Sequence, residues 1–319
     1  MKTTKIFQGF ILPSLFIAIC SMTFGQKKVD TLAKFHDTVS FVVVKFKEGS
    51  TYFGKLKENK NDTLTLIMED LGAVKIPYDR IKRVETVEYM VMKKGKYWFP
   101  TPLPGRYFFA PSAFTLNPGE GYYQNTMLAL NSFNVGVTKW FSIGGGIEFF
   151  STIASITAGE FKPTFFITPK VGLKIAKNLR AGGGLIYAQF WGNEFQAGIL
   201  YGVVTYGNPD YNVTAGLGWG FSKTNIGDNS SNSSSFEFGK YPIITIFGTA
   251  RIARKTALVT ENWIVPSSGN SRLTYYPVFS YGIRFLGETV SFDLAFINNK
   301  DIARLLFIGI PFISCTVKF

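Results

Sequence analysis

Tyr211-Asn-Val-Thr-Ala-Gly-Leu-Gly-Trp-Gly-Phe-Ser222 decides how this chain is read. Tyr211, Val213, Ala215, Leu217, Trp219 and Phe221 alternate with Asn212, Thr214, Gly216, Gly218, Gly220 and Ser222. Successive side chains of a strand point to opposite faces, so one face is wholly apolar and the other small or polar. The run is also long enough for a tilted strand to cross a bilayer, which takes about 9–11 residues.

The pattern recurs on both sides of that stretch. Phe165, Ile167, Pro169, Val171, Leu173 and Ile175 alternate with Phe166, Thr168, Lys170, Gly172 and Lys174. Val290, Phe292, Leu294 and Phe296 alternate with Ser291, Asp293 and Ala295. The final run sets Ile313, Cys315, Val317 and Phe319 against Ser314, Thr316 and Lys318. Between Arg106 and Phe319 the sequence predicts twelve strands, near 106–115, 126–138, 143–151, 164–175, 180–190, 195–206, 211–222, 241–253, 256–264, 275–286, 289–297 and 305–318. The breaks after strands 2, 4, 6, 8 and 10 are short, whereas Lys223–Lys240 is long and rich in Asn and Ser. Short turns on one side and long loops on the other, with an even strand count, are the pattern of a transmembrane barrel. The expected fold is all-β: a small five-stranded barrel, then an antiparallel up-and-down transmembrane barrel of about 12 strands.

Composition agrees. The chain has 32 Phe, 15 Tyr and 32 Gly, with only 17% charged residues, a bias that favours strands. The net charge of +13 is spread out: residues 27–106 hold 16 basic and 10 acidic residues, and residues 107–319 hold 16 and 11. No dense basic block points to nucleic acid. His36 is the single His and lies before the barrel, so a Ser–His pair within the barrel is excluded. No catalytic residue, metal site or cofactor is expected.

Lys2 and Lys5 precede an apolar stretch from Ile6 to Ala18, and small residues at Thr23 and Gly25 suit cleavage before Gln26. Residues 1–25 therefore read as an export signal. Its removal takes Cys20 and leaves Cys315 without an intrachain partner. Residues 26–90 read as a β-domain with strands at Val39–Phe46, Thr51–Leu56, Thr63–Met68, Leu71–Ile76 and Ile81–Val87. Residues 91–105, ending Phe-Pro-Thr-Pro-Leu-Pro-Gly, read as a Pro-rich linker.

Two resemblances follow from these residues. "FKEGSTYFGKLKENKNDTLTL" (46–66), with Gly54 in its second strand, and the closing "IPYDRIKRVE" (76–85) resemble the Sm-like or SH3-like small barrel. After an export signal that fold implies a periplasmic accessory or docking module, with a protein partner held through residues 26–90. Residues 106–319, ending in an aromatic strand at Phe319, resemble the outer-membrane barrels of Gram-negative bacteria, including porin-like ones. That resemblance implies outer-membrane lipid as surroundings, the barrel-assembly machinery as a partner, Phe319 as the assembly signal, and the small domain in the periplasm. Trp140 and Phe141 near one end, and Trp191, Trp219, Phe221 and Trp263 toward the other, resemble interfacial girdles.

By alternation the lumen should carry Arg106, Lys170, Lys174, Arg251, Arg284 and Lys318 against Glu148 and Asp293. An open lumen of that balance would favour anions, giving a passive or selective channel for small solutes. The alternative is a lumen filled by these side chains and their partners, with inward Phe108, Phe150 and Phe166 adding bulk. The barrel would then anchor the periplasmic domain within an envelope complex. Gly144–Gly146 and Gly182–Gly184 lack the strand–turn–helix setting of a phosphate loop and read as glycines easing strand starts.

Overall fold

The computed structural model describes residues 41–60, 62–68, 71–86, 91–93, 96–191, 195–228, 231–269 and 272–319. The export signal, Cys20 and His36 lie outside the described residues. The chain forms two units, Met1–Tyr97 and Trp98–Phe319.

The first unit is a five-stranded antiparallel sheet: β1 (Phe41–Phe46), β2 (Thr51–Lys60), β3 (Thr63–Met68), β4 (Gly72–Pro77) and β5 (Ile81–Thr86). The order is β4-β3-β2-β1-β5. A single 3-10 turn at Tyr78–Arg80 precedes β5. The Thr-Leu-Thr-Leu alternation places Leu64 and Leu66 in the core beside Val42, Val44, Phe46, Ile76 and Ile81. Gly54 is needed where β2 crosses β3, since a Cβ there would stand 2.7 Å from the Ile67 carbonyl oxygen. Two short paired strands follow, β6 (Val91–Lys93) and β7 (Lys96–Trp98).

The second unit is a closed barrel. Its wall is β8 (Gly121–Thr126), β9 (Leu130–Gly136), β10 (Phe141–Glu148), β11 (Thr164–Ala176), β12 (Leu179–Phe190), β13 (Phe195–Gly207), β14 (Tyr211–Asp228), β16 (Ile243–Ala253), β17 (Thr256–Gly269), β18 (Arg272–Leu286), β19 (Val290–Asn298) and β20 (Ile310–Lys318). β15 (Ser231–Phe238) extends the outer half of β14 as a hairpin. Every neighbour is antiparallel, and β20 pairs with β8 to close the ring. Helix α1 (Phe149–Thr157) follows β10, and the short α2 (Lys300–Leu305) follows β19.

Twelve strands close the wall, but one expected strand is absent and one that is present was not expected. Residues 106–115 are not a strand, the stretch read as 126–138 contains β9, and β8 lies almost wholly in what was read as the break before it. The cause lies in the sequence of the first stretch. Pro111 within it, and Pro102 and Pro104 just before it, remove ladder donors, and Tyr107-Phe108-Phe109 is apolar on consecutive residues, so the stretch lacks the alternation of a wall strand. The expected alternation holds where it was clearest. Val213, Leu217, Phe292, Leu294 and Val317 are exposed on the outer face, whereas Asn212, Thr214, Asp293, Ser314 and Thr316 are buried.

Candidate functional site: the occupied lumen

Residues 98–116 run inside the barrel. The chain enters at the short-turn end, where Arg251 lies over the rings of Trp98 and Phe99 and Thr101 donates to Asp210 in the β13–β14 turn. It turns within the lumen at Tyr107–Ala110, closed by the Tyr107 N–H to Ala110 bond of 2.9 Å and the Arg106–Pro111 bridge. It leaves at the same end, where the Thr115 hydroxyl donates to the Lys139 carbonyl. Phe99–Gly105, expected as linker, thus belongs to the barrel unit, and Leu103 and Phe99 are buried there.

A backbone without secondary structure needs partners when buried, and the wall supplies them. Glu261 Oε2 accepts from the backbone N–H of Phe108, Phe109 and Ala110 at 2.8, 2.9 and 3.0 Å. Its other oxygen accepts from Trp263 Nε1 at 2.8 Å. Successive N–H groups converging on one carboxylate form an anion nest. Arg284 Nη2 donates to the Tyr107 carbonyl at 2.6 Å. Lys170 Nζ donates to the carbonyls of Gly105, Ser112 and Phe114 at 2.9, 3.3 and 2.6 Å. The Tyr107 hydroxyl donates to Asn212 and shares a hydrogen bond with Thr214.

Charge is matched inside the barrel. Asp293 takes Arg284 Nε at 2.6 Å and Arg106 Nη2 at 3.3 Å, tying the lumen segment to β18 and β19. Arg251 pairs with Asp210 at 3.0 Å. All five side chains are at most 5% exposed. Such pairs are costly to form in a low-dielectric interior but costlier to break, because the survivor is left uncompensated. Around them Tyr107, Phe108 and Ala110 pack on Phe247, Val259, Ala295 and Phe312.

On the opposite wall the segment lies against backbone. A Cβ on Gly172 would collide with the Ala113 carbonyl oxygen, and Ala113 also lies over Gly182. The inward rows of β10, β11 and β12 carry Gly144, Gly146, Gly172, Gly182 and Gly184. The glycines read as easing strand starts therefore make room inside the barrel. Between segment and wall lies a cavity of about 120 Å³, lined among others by Arg106, Tyr122, Gln124, Ser142, Lys170 and Tyr201, with no carboxylate in its lining.

The expected lumen charges divide into three groups. Arg106, Lys170, Arg251, Arg284 and Asp293 are inside and hold the segment, though Arg106 sits on the segment and not on a strand. Lys174 is exposed near the β11–β12 turn, and Lys318 pairs with Glu120 at 3.1 Å where the barrel closes. Glu148 stands on the inward row of β10 but at its outer end, where its carboxylate caps α1 through the N–H of Phe150 and Ser151. Of the expected bulk, Phe108 fills the lumen and Phe166 lines the cavity, whereas Phe150 is exposed on α1. Trp263 is not an interfacial residue: it faces inward onto Phe247. Sequence reasoning missed Glu261, Asp210 and Tyr107. Glu261 had a signal, as a lone acid in the row Ala257, Val259, Glu261 and Trp263.

The wall is apolar outside, hydrogen-bonded and charged inside, and closed without an edge. Those properties define a β-barrel of the outer-membrane type. No helix among the described residues is long and apolar enough to cross a membrane, and none of their His, Cys, Asp and Glu side chains form a group that could hold a metal.

Among solved structures, the NanC porin resembles 62% of this chain over 97% of its own length, at 7% identity and a TM-score of 0.39. OmpT of Vibrio cholerae, expressed in the outer membrane, resembles 88% of this chain over 95% of its own, at 9% identity and a TM-score of 0.30. Its in-vitro folded trimer form gives 88% and 97% coverage, 11% identity and 0.28. No family model matches the chain, and neither does any curated protein.

Proposed function

We propose that this protein is a barrel of the Gram-negative outer membrane, closed by its own residues 98–116, that holds the five-stranded domain on the periplasmic side as a docking module. The observation that carries this reading is the seating of the segment: a carboxylate nest, a shared aspartate and a lysine each bind it from a different part of the wall. A passive open pore has no use for such a fastening.

Several features support the rest. The barrel begins at Gly121 and ends at Phe319 on the short-turn side, the periplasmic side in such barrels, and the two residues exchange backbone hydrogen bonds of 3.0 and 2.9 Å. An export signal at residues 1–25 and recognition of Phe319 by the assembly machinery fit that placement. The sheet order with a 3-10 turn before β5 supports the Sm-like or SH3-like reading of residues 26–90, whose partner is then a periplasmic protein. A second reading, a gated channel for small solutes, is favoured by the cavity beside the segment. Arg106 and Lys170 line it without a carboxylate, which would give anion preference on opening.

Single-channel recording separates them. The reconstituted protein should be silent, and replacing residues 99–116 by a Gly/Ser linker of equal length should give steady openings. Steady conductance of the wild type with the segment still protected from protease would overturn the closed-barrel reading.

A further inference from the structure

The barrel wall is uneven in height. β8, β9 and β10 have 6, 7 and 8 residues, whereas β14, β17 and β18 have 18, 14 and 15. At about 3.4 Å per residue and a tilt of about 40°, β8 rises about 16 Å and β10 about 21 Å. The apolar band of such barrels is about 25 Å tall. On this side the strands stop short, and irregular backbone would face hydrocarbon, which is costly unless it is satisfied internally.

Three elements cap these low strands at the long-loop end, and all are apolar toward their surroundings. Helix α1 is inverted relative to a water-facing helix. It exposes Phe149, Phe150, Ile153 and Ile156, each between 42% and 58%. Two of its hydroxyl residues turn to the protein: Thr152 is buried, its Oγ1 donates to the Glu148 carbonyl at 2.6 Å and accepts the Thr164 N–H, and Ser155 Oγ accepts the Lys162 N–H, whereas Thr157 at the last turn is exposed and bonds back to the Ala154 carbonyl. The β8–β9 turn has Met127 and Leu128 both at positive φ, 54° and 61°. A tight turn of that kind in water favours Asn-Gly; here two apolar side chains accept the strained conformation and stand exposed. Beside β8, Leu305 at the end of α2 and Leu306, Phe307 and Ile308 between α2 and β20 are 53–89% exposed.

These elements cap strands that are neighbours in the order β20-β8-β9-β10. Their exposed faces continue the outer apolar face of those strands, at Ile310, Phe133 and Ile147. We infer that α1, the β8–β9 turn and residues 305–308 are seated among lipid acyl chains of the leaflet on the long-loop side, completing the apolar belt where the strands are too short. They are membrane-embedded wall and not water-facing loops. The inference rests on the bilayer reading of the barrel.

Site-directed spin labelling of the whole protein in lipid vesicles tests it. In a Cys20→Ser, Cys315→Ala background, labels are placed by Phe150→Cys and Phe307→Cys, with Leu294→Cys as the belt reference and Lys177→Cys as the water reference. Labels at 150 and 307 should match 294: frequent collision with oxygen and severalfold less with a water-soluble nickel chelate than at 177. Nickel access at 150 and 307 with 294 still shielded would overturn the inference alone. Exclusion of both reagents at 150 and 307 would mean a protein partner or a second copy covers them, and would also overturn it. Nickel access at 294 would overturn the bilayer reading and this inference together.

Discussion

Glu261→Gln tests what holds the lumen segment in place. In the wild type Oε2 accepts three backbone N–H bonds at 2.8–3.0 Å and Oε1 accepts the Trp263 indole N–H at 2.8 Å, in a side chain that is buried. An amide offers one acceptor oxygen and one NH2 group. If the oxygen faces the three backbone donors, the NH2 faces the Trp263 N–H donor to donor. If the amide flips, three buried N–H groups lose their acceptor, which is worse. The first arrangement exchanges three charge-assisted bonds for neutral ones of roughly half the strength, a loss of about 1 kcal/mol each, and leaves the indole N–H unmet for about 1–3 kcal/mol. Relief from burying a carboxylate returns part of this. The net is about 3 kcal/mol against the seated segment, roughly a hundredfold in the seating equilibrium. The ladder of the wall does not use these bonds, so the barrel should still fold. Single-channel recording should then show openings where the wild type is silent, the unseated fraction being about a hundredfold larger, with faster proteolysis within 99–116. A folded variant with neither change would refute the nest as the fastening.

Asp293→Asn removes the carboxylate shared by Arg106 and Arg284 and leaves two buried guanidinium groups without a counter-charge. The cost of about 3–5 kcal/mol should appear as segment release, seen as protease sensitivity and conductance, whereas Lys318→Met at the half-exposed pair with Glu120 should change neither. Gly172→Val puts a branched side chain against the Ala113 carbonyl and should unseat residues 112–116, while Gly202→Ala, whose Cβ would meet nothing within 4 Å, should leave the segment protected; equal protection in both variants would contradict the close approach. In the small domain, burial and the nearby Asp62 charge hold the Tyr78 phenol above its ordinary value of 10. The folded state then keeps its proton more tightly than the unfolded chain, so this contribution is intact below pH 10 and is lost as the pH rises above it. Chemical unfolding of the domain should become easier in that window, and Tyr78→Phe should remove that part of the slope.

Much of the wall was legible because a barrel strand obeys one local rule. In Tyr211–Ser222 and Val290–Phe296 each side chain's face follows from its parity, so Asn212, Thr214 and Asp293 could be placed inside before any partner was known. The five strands of the small domain follow from the same period and from turn residues such as Gly49. Lys170, Arg251 and Arg284, read as inward by parity, bond to residues 99–114. Parity failed at Arg106, which sits on a segment that is no strand, and at Glu148, where the strand ends and helix α1 offers its N–H groups. On β17 the row Ala257, Val259 and Trp263 is the more apolar of the two, the other carrying Thr260 and Asn262, so parity turned Glu261 to the wrong side.

The sequence alone determined the architecture: strands apolar on one face, most of them long enough to cross a bilayer, in an even-numbered meander after a small β-domain. Those properties depend on period and length, which are local. Only the tertiary structure decided that the lumen is occupied. Whether Trp98–Leu116 hangs outside or turns inward depends on partners far apart in the chain: Glu261 takes its backbone N–H groups, Lys170 its carbonyls and Asp293 the Arg106 guanidinium. No spacing along the sequence encodes that meeting, because closure of the ring is what brings those residues together.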